Sequence, residues 1–350
     1  MMRADLAHRS PSNPLIVPAM VSPSRSDFVV ECVLNPGAFE YDGRVGLLLR
    51  VAERPVPVSG WVSTVVLGEG GDPEIVRFRK DDPAADFSDP RLVCRDGVTW
   101  LTTLSHLRLA WSTDGKTFKV DDRPALTGDG PLERYGIEDA RVVRCGDEFV
   151  LTFTSVSRWG PAVGMAVTRD WRTFERKGVV LPPHNKDCAI LGQSVGGRHW
   201  MLHRPTVAEF SGNCIWSAIS DDLVHWGGHR FVAAPRPGTW DEARIGPGAA
   251  PISTPEGWLE IYHGATHDHR YCLGLLLLDA EDPSRVIARS VDPVMQPLAD
   301  YERSGFLGGV VFTNGHVVHG DRVTVFYGAA DSTVCSADFS LEELLNSLSR

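Results

Sequence analysis

The chain of 350 residues has no run of about 18 apolar residues, the length that a membrane-spanning helix needs. Its first twelve residues are polar and include no apolar segment of the kind found in signal peptides. The net charge is −10, and no stripe of basic residues is present to bind a nucleic-acid backbone. We therefore expect neither a membrane partner nor a nucleic-acid partner. Composition favours an ordinary globular protein, since 43% of the residues are hydrophobic and 23% are charged.

Cysteine pairs are also lacking. The seven cysteines are scattered singly, and no Cys-x-x-Cys occurs. An odd number of isolated cysteines is typical of free, mostly buried thiols in a reducing compartment, so we expect a cytoplasmic protein. His263, His267 and His269 lie close together in the sequence, but no motif of a zinc enzyme accompanies them, and we expect no metal site. The chain has no Gly-x-Ser-x-Gly, P-loop or dinucleotide fingerprint, and we expect no cofactor.

Helical periodicity is nearly absent, and short apolar runs bounded by Gly, Asp or Pro take its place. The runs that we predict to be strands are 45–49, 61–67, 149–153, 258–262, 273–278 and 323–327. The 34 glycines and 24 prolines provide many turns between them. Only residues 340–348 have a helical pattern, with Ser340 as N-cap and Glu343 completing a capping box.

A short motif repeats along the chain. The four copies begin near Asp114, Asp170, Asp222 and, more weakly, Asp282, and these aspartates are separated by 56, 52 and 60 residues. In every copy an apolar residue follows four positions after the Asp. The motif predicts a tight turn between two strands, in which the Asp caps the turn and the apolar side chain packs on the sheet.

Strand-rich repeats slightly longer than a usual blade favour a β-propeller. Four repeats in about 170 residues, with strand-rich sequence on both sides, predict five blades. The alternative is a two-domain β-sandwich, but no linker between domains is visible. We therefore expect an all-β, five-bladed β-propeller that forms one domain over residues 1–350, with the propeller at about 25–338 and a short C-terminal helix at 339–350.

Two segments, 87–91 and 135–141, carry an Asp-x-Arg pattern that runs directly into an apolar pair. Their charged residues are Asp89 and Arg91 in the first segment and Glu138, Asp139 and Arg141 in the second. We interpret them as two copies of one loop-then-strand arrangement. A carboxylate at the start of a strand is held by a rigid scaffold, as a catalytic group must be.

Polar residues from several blades meet at one end of a propeller, so clusters elsewhere in the chain are further candidates. These are Asn35, Arg50, Lys186, Asp187, His203, Arg204, Arg244, Tyr262, His263 and Asp331. Arg50 ends an apolar strand, where it is either a salt-bridge partner or a ligand clamp. Lys186, Arg204 and Arg244, together with His203 or His263, can form the positive pocket that an acidic protein needs to hold phosphate. Alternatively, each pairs with a structural carboxylate such as Asp187 or Asp241.

With these motifs the sequence resembles glycoside hydrolase family 130, the β-mannoside phosphorylases and β-1,2-mannosidases. The matching segments are 136–141, 184–187, 203–205, 246–252, 257–264 and 327–331. Together with Asn35 and Arg50 they cover nearly the whole chain in the family's order. The fold of the family is a five-bladed β-propeller, which agrees with the expectation from the repeats.

The resemblance implies an inverting mechanism in which Asp139 is the one catalytic acid. This chain has Ala140 where the family usually has proline. In the phosphorylases, inorganic phosphate is the co-substrate and attacks the anomeric carbon from the face opposite the leaving group. Phosphate brings its own charge, so no enzymic base is needed. The positions that match the phosphate clamp are Arg204, Arg244 and Lys186. The acid of the family is thought to protonate the leaving oxygen through the mannosyl 3-hydroxyl.

The remaining candidates are expected to bind sugar hydroxyls or to shape the site. They are Asn35, Arg50, Asp187, His203, Tyr262, His263 and Asp331. Glu138 and Arg141 flank the acid: the like charge of Glu138 raises the pKa of Asp139, and Arg141 lowers it. Asp89 and Arg91 belong either to substrate binding or to the structure, because only Asp139 follows the first of the repeated turns, as the family's acid does.

Three functions follow. The first is phosphorolysis of β-mannosides, with β-1,2-linked manno-oligosaccharides as expected substrates and α-mannose 1-phosphate as product. The second is hydrolysis of the same linkage, which requires a carboxylate base such as Glu209, Glu242 or Glu260. The third is a non-catalytic glycan-binding propeller. The basic residues favour the phosphorylase, and the sequence leaves a homo-oligomer open.

Overall fold

A computed structural model describes residues 5–206 and 213–348. These residues form 26 strands, two short α-helices and two short 3₁₀ helices, so the protein is nearly all β. All six predicted strand segments lie within strands. No helix in the described part of the chain is long and apolar enough to cross a membrane.

The N-terminal strand, β1 (His8–Arg9), precedes a 3₁₀ turn at Pro18–Met20 and the first large sheet. The next strands in chain order are β2 (Phe28–Tyr41), β3 (Arg44–Pro55), β4 (Trp61–Leu67), β5 (Pro73–Arg79), β6 (Ala85–Asp86), β7 (Leu92–Arg95), β8 (Val98–Leu101), β9 (Leu104–Ser112) and β10 (Lys119–Val120). Strands β2, β3, β9 and β10 form the first sheet. The β4–β5 hairpin and the three-stranded β6–β7–β8 sheet are an insertion between β3 and β9.

Three further antiparallel sheets follow the 3₁₀ turn at Pro131–Glu133. The second sheet comprises β11 (Ile137–Cys145), β12 (Glu148–Ser157), β13 (Gly160–Thr168) and β14 (Glu175–Leu181). The third comprises β15 (Asn185–Ile190), β16 (His199–Pro205), β17 (Ile215–Ser220) and β18 (Gly227–Ala233). The fourth comprises β19 (Arg244–Gly246), β20 (Ile252–Thr254), β21 (Gly257–Ala265), β22 (Tyr271–Leu278) and β23 (Val286–Arg289).

The fifth sheet joins the two ends of the chain. After α1 (Asp300–Arg303) come β24 (Val311–His319), β25 (Arg322–Ala329), β26 (Thr333–Ser340) and α2 (Leu341–Ser347). Strand β1 pairs with β26, His8 opposite Asp338, and so completes this sheet at its outer edge.

Each large hydrophobic core of the described chain lies between two consecutive sheets, and the fifth sheet shares a core with the first. Representative pairs, from the first–second to the fifth–first interface, are Leu48 and Leu151, Val150 and Ile190, Leu202 and Leu276, Leu275 and Val325, and Phe326 and Leu47. Strand β2 packs against both β11 and β24. The first strands of the first, second and fifth sheets are therefore neighbours.

The predicted turns are confirmed for the first three sheets. Asp114, Asp170 and Asp222 each accept two main-chain N–H groups at 2.8–2.9 Å through Oδ1. Each turn joins the third strand of its sheet to the fourth. In the fourth sheet Asp279 accepts two N–H groups, at 2.9 and 3.0 Å, and the predicted Asp282 accepts one, that of Ser284, at 3.3 Å. The residue that accepts two N–H groups in this turn therefore lies three positions before the predicted one.

The predicted C-terminal helix begins two residues later than expected. The side chain of Ser340 accepts a hydrogen bond from the Glu343 N–H at 3.1 Å, as the N-cap pattern predicts. Residue 339 is still in β26, because its main chain pairs with Val323 of β25. The helix therefore starts at Leu341.

The two Asp-x-Arg segments do not share an architecture. Asp89 precedes the short strand β7 of the insertion. Asp139 lies inside β11, which starts at Ile137, so the acidic pair is part of a strand and does not precede it. The expected loop-then-strand repeat was therefore wrong, since a similar local sequence serves different positions in the fold.

Glu302 connects the N-terminal strand to the fifth sheet. Its Oε1 accepts hydrogen bonds from Arg9 Nε and Tyr327 Oη, both at 2.7 Å. Its Oε2 accepts the main-chain N–H groups of Leu298 and Ala299 at 2.7 and 2.9 Å. The carboxylate is fully buried, so no water can replace a lost partner.

We predict that Glu302→Ala lowers the free energy of unfolding by about 3–5 kcal/mol, because it leaves the largely buried Arg9 guanidinium without its main carboxylate. Urea unfolding followed by fluorescence measures the change. The matched control is Asp81→Ala, which removes an exposed carboxylate paired with Arg79 and should leave the midpoint unchanged. Equal midpoints for the two variants would contradict the role given to Glu302.

Candidate active site

Side chains from all five sheets and from the insertion line one cleft of about 570 Å³. The predicted site residues that line it are Asn35, Arg50, Arg91, Glu138, Asp139, Lys186, Asp187, Arg204, Arg244, His263 and Asp331. Residues far apart in sequence thus form a single polar site.

A β-bulge in the first strand of four sheets directs a polar side chain out of the regular ladder. The bulges are at 34–37 in β2, 138–141 in β11, 186–189 in β15 and 313–315 in β24. Asn35, Asp139 and Asp187 lie in three of them with φ of 46°, 52° and 52°. Among residues with a side chain, Asn and Asp tolerate this left-handed backbone best. The bulges therefore explain why Asx residues occupy these positions.

Asn35 and Arg50 hold the carboxylate of Asp139. Asn35 Nδ2 donates to Asp139 Oδ1 at 3.0 Å, and Arg50 Nη1 donates to the same oxygen at 3.2 Å. Arg50 also donates to Glu138 Oε1 at 2.8 Å and to Ser105 Oγ at 3.0 Å. The guanidinium thus bridges both carboxylates of the acidic pair and fixes their relative position.

Three cations in or behind the cleft determine the protonation state of Asp139. Burial raises the pKa of Asp139, but Arg50, Arg141 and Lys186 more than offset burial and hold the pKa below its usual value. The cations, and not the neighbouring Glu138, determine the direction of the shift. Asp139 is therefore ionised at neutral pH in the ligand-free site.

Asp187 is the centre of a buried charge cluster. Its Oδ1 accepts from Arg141 Nη2 at 3.1 Å, and its Oδ2 lies 2.9 Å from Arg204 Nη2 and 3.4 Å from His263 Nε2. Burial raises the pKa of Asp187, but Arg204, Arg141 and the nearby His263 hold it well below the usual range. A carboxylate with three such partners orients its neighbours and is a poor general base.

Several cationic donors in the cleft have no acceptor. Nε and Nη1 of Arg204 and Nε of Arg244 are buried and lack a hydrogen-bond partner within the described chain. Arg244 Nη1 donates to Tyr271 Oη at 3.2 Å. Lys186 forms no ion pair with any described carboxylate within 4.0 Å, and burial lowers its pKa. Buried donors without partners are rare, and three cations with spare donors have the chemistry needed to hold an anion.

The sequence also allowed that the basic residues pair with a structural carboxylate, Asp187 or Asp241. The structure shows one such pair. Arg204 does contact Asp187, but through Nη2 alone. Asp241 is not a partner of Arg244, because it binds Arg236 and Arg289 at 2.9 and 2.6 Å. The donors that remain are those that the sequence assigned to phosphate.

Two predicted substrate-binding residues lie behind the cleft and do not line it. Arg141 is buried, and Nη1 donates to the main-chain oxygen of Asp139 at 2.9 Å. Tyr262 is fully buried, and its hydroxyl donates to Asp241 Oδ2 at 2.7 Å. The polar atoms of both side chains form hydrogen bonds within the protein, so these residues support the site from behind.

His203 and Asp89 are also absent from the lining of the cleft. The two ring nitrogens of His203 lie 3.1 Å from Asn185 Oδ1 and 3.1 Å from His229 Nδ1. Burial and His229 lower the pKa of His203 to about 3, so this histidine is neutral. Asp89 pairs with Arg91 at 2.7 Å, and of these two only Arg91 reaches the cleft.

The sequence interpretation missed most of the uncharged lining. The missed residues are Cys32, Leu34, Ala52, Leu92, Leu101, Thr103, His184, Thr206, Asn213, Tyr271, Phe306, Leu307, Val310 and Phe312. An apolar wall next to polar groups suits the faces of a sugar ring. Only His184 carried a signal, since it opens the matching segment 184–187.

Of the three carboxylates considered as hydrolytic bases, the structure describes Glu242 and Glu260, and neither lines the cleft. Glu260 is fully buried outside it, and Glu242 accepts the Gly238 N–H at 3.2 Å on another loop. Glu209 lies outside the described residues. Asp331 lines the cleft, and burial, together with Asp139, raises its pKa to about 6.

No group of three His, Cys, Asp or Glu side chains within residues 5–206 and 213–348 is arranged to hold a metal ion. Of the three clustered histidines, only His263 lines the cleft. It is fully buried, and burial lowers its pKa to about 4, so it is neutral beside Asp187.

Comparisons with known proteins identify the family of the chain. Residues 90–350 match the glycoside hydrolase family 130 model, described as beta-1,4-mannooligosaccharide phosphorylase. The chain is 40% identical to a β-1,2-mannobiose phosphorylase of Listeria innocua over 97% of this chain and 98% of the relative. A solved structure of a Listeria innocua β-1,2-mannobiose phosphorylase with β-1,2-mannobiose has a TM-score of 0.95, covering 98% of this chain and 99% of that chain. A 1,2-β-oligomannan phosphorylase of Thermoanaerobacter is 36% identical over 69% of this chain and 80% of the relative. The chain belongs to glycoside hydrolase family 130.

Proposed function

We propose that this protein is an inverting phosphorylase that cleaves β-1,2-mannobiose or short β-1,2-linked manno-oligosaccharides with inorganic phosphate. The products are α-mannose 1-phosphate and a saccharide shortened by one residue. The observation that carries this proposal is the set of spare buried donors on Arg204 and Arg244, beside Lys186, in the same cleft as Asp139. The linkage comes from the names of the relatives.

We further propose that the five sheets are the blades of a single-domain β-propeller. Two observations support this proposal. Each sheet shares a hydrophobic core with the next, and the fifth shares one with the first. Strand β1, from the N-terminal end of the chain, completes the fifth sheet. A closed ring brings the first strand of every blade to the axis, where the bulges then place their polar side chains.

In the proposed reaction a phosphate oxygen forms a bond with the anomeric carbon while the bond from that carbon to the leaving oxygen breaks. The proton of Asp139 passes to the leaving oxygen, directly or through a sugar hydroxyl, and Asp139 regains a proton from solvent afterwards. Lys186, Arg204 and Arg244 hold the phosphate, whose own charge makes an enzymic base unnecessary.

Binding of phosphate also prepares the acid. The free site keeps Asp139 ionised because Lys186 and the arginines surround it. A phosphate dianion beside Lys186 neutralises part of this positive field, which raises the pKa of Asp139 and favours its protonated form. Cleavage is then coupled to the presence of the nucleophile.

The remaining lining residues are assigned to the sugar. Asn35, Arg50 and Asp331 bind hydroxyl groups near the acid, while Tyr271 and Phe312 offer aromatic faces to the ring. A cleft of about 570 Å³ is of the size that holds a disaccharide with a phosphate ion.

The two alternatives have less support. Hydrolysis needs a free base near the attacking water, and neither Glu242 nor Glu260 lines the cleft. A pure binding module does not need a carboxylic acid held by two donors beside three cations with spare donors. The cytoplasmic location and the homo-oligomer remain predictions.

We predict that the purified protein releases mannose 1-phosphate from β-1,2-mannobiose only when phosphate is added. Ion chromatography of reactions with and without phosphate measures this. Asp139→Asn should lower kcat by about 10²- to 10⁴-fold, because the amide cannot donate the proton in the same way. Equal release of free mannose in both buffers would indicate the hydrolase, and full activity of the Asn variant would exclude Asp139 as the acid.

We also predict that Lys186→Met raises KM for phosphate about tenfold or more, since one charge-assisted contact is lost. Because Lys186 lowers the pKa of Asp139, its removal should move the alkaline limb of the pH–rate profile to higher pH. Steady-state kinetics between pH 5 and pH 9 test both effects. The matched control is Lys116→Met at an exposed turn, which should change neither. An unshifted limb in the Lys186 variant would contradict the proposed coupling.

A further inference from the structure

Pro247 and Gly248, which directly follow β19, contact Arg141 of strand β11. Arg141 Nε donates to the main-chain oxygen of Gly248 at 3.0 Å, and Nη2 donates to that of Pro247 at 3.0 Å. The same guanidinium donates to the main-chain oxygen of Asp139 at 2.9 Å and to Asp187 Oδ1 at 3.1 Å. One buried side chain therefore connects this segment to the acid and to the charge cluster.

The main chain of Asp139 depends on that contact. Asp139 lies in the bulge between Glu138 and Arg141, where its residue has no partner in the pairing of β11 with β12. Asn35 and Arg50 hold its side chain through Oδ1, but its carbonyl is held by Arg141. The direction of the carboxyl group thus follows the position of the Arg141 guanidinium.

Glu260 in turn holds the segment that receives Arg141. The Gly248 N–H donates to Glu260 Oε1 at 2.7 Å. The segment is pressed against β21, since a Cβ on Gly248 would lie 2.2 Å from the main-chain oxygen of Ile261. Glu260 is fully buried, and its Oε2 has no partner within the described chain. A buried carboxyl with one hydrogen bond costs stability, so the contribution of Glu260 must lie elsewhere.

We infer that Glu260 is a positioning residue for the reaction, acting on Asp139 through Gly248, Pro247 and Arg141. This inference rests on the proposed phosphorolysis. Burial raises the pKa of Glu260 to about 8, so the carboxyl is neutral at pH 7 and serves as a fixed acceptor for the Gly248 N–H. Arg141 is the charged group whose field reaches it.

The geometry also predicts which kinetic parameter responds. Asp187 is held by Arg204 and His263 as well as by Arg141, so the phosphate side of the cleft has independent support. The carbonyl of Asp139 is held by Arg141. Loss of the Glu260 contact should therefore lower kcat and leave KM for phosphate nearly unchanged.

The test compares Glu260→Met, which removes the acceptor at similar volume, with Glu260→Gln, which keeps an oxygen for the Gly248 N–H. The matched control is Glu242→Met, because Glu242 accepts a glycine N–H in a neighbouring loop but has no hydrogen bond to Arg141. Rates with β-1,2-mannobiose and phosphate are corrected for the folded fraction measured by thermal unfolding. Glu260→Asp, one methylene shorter, serves as a second variant if the Met variant does not fold.

We expect kcat to fall about tenfold in the Met or Asp variant, with KM for phosphate within about threefold of wild type. The Gln variant and the Glu242 control should keep kcat within about threefold. Two results would overturn the inference but not the proposed function. One is an unchanged kcat per folded molecule of the Met or Asp variant, and the other is a Gln variant as slow as the Met or Asp variant. A larger change in KM for phosphate than in kcat would also overturn it. Wild-type protein without phosphate-dependent cleavage would overturn the proposed function as well.

Discussion

The site depends on one backbone constraint, the β-bulge in the first strand of four sheets. Each bulge breaks the strand ladder, and the three in β2, β11 and β15 place one residue in the left-handed region, where Asn and Asp are tolerated. In this way Asn35, Asp139 and Asp187 leave the regular alternation of their strands and face one cleft. Asn314 occupies the fourth bulge and donates to the main-chain oxygen of Asn35 at 3.1 Å, which connects the first and fifth sheets.

The charged neighbours of Asp187 and Asp139 give these two carboxylates different roles. Asp187 is tied to two arginines and is a fixed counter-charge, whereas Asp139 has fewer direct partners and can change its protonation state. An acidic protein of net charge −10 here gathers Lys186, Arg204 and Arg244 into one small volume. The excess positive charge keeps Asp139 ionised. In the mechanism that we propose, the same cations recruit the phosphate and determine when Asp139 can be protonated.

The sequence predicted the parts of the structure that local chemistry determines. The caps at Asp114, Asp170 and Asp222 and the N-cap at Ser340 were predictable because a side chain bonds to its own turn. Eleven of the proposed site residues line the cleft, and all of them except Arg91 were proposed at positions that match the family. The bulges could not be foreseen, since they are visible only as strand pairing.

Other features depend on packing that the sequence does not show. Tyr262 and Arg141 are residue types that often bind ligands. Here the Tyr262 hydroxyl donates to Asp241, and Arg141 donates to main-chain carbonyls. Asp89 has the same local pattern as Asp139 but belongs to an insertion. The apolar lining, including Phe312, cannot be told from core residues by composition alone.

The central claim is that phosphate, held by the cations, attacks in line while Asp139 protonates the leaving oxygen. The most direct test is ¹H and ³¹P NMR of the first product formed from β-1,2-mannobiose and phosphate. The account predicts α-mannose 1-phosphate, the inverted anomer, as the first product. The β anomer would indicate a double displacement and contradict the account, as would free mannose formed without any sugar phosphate.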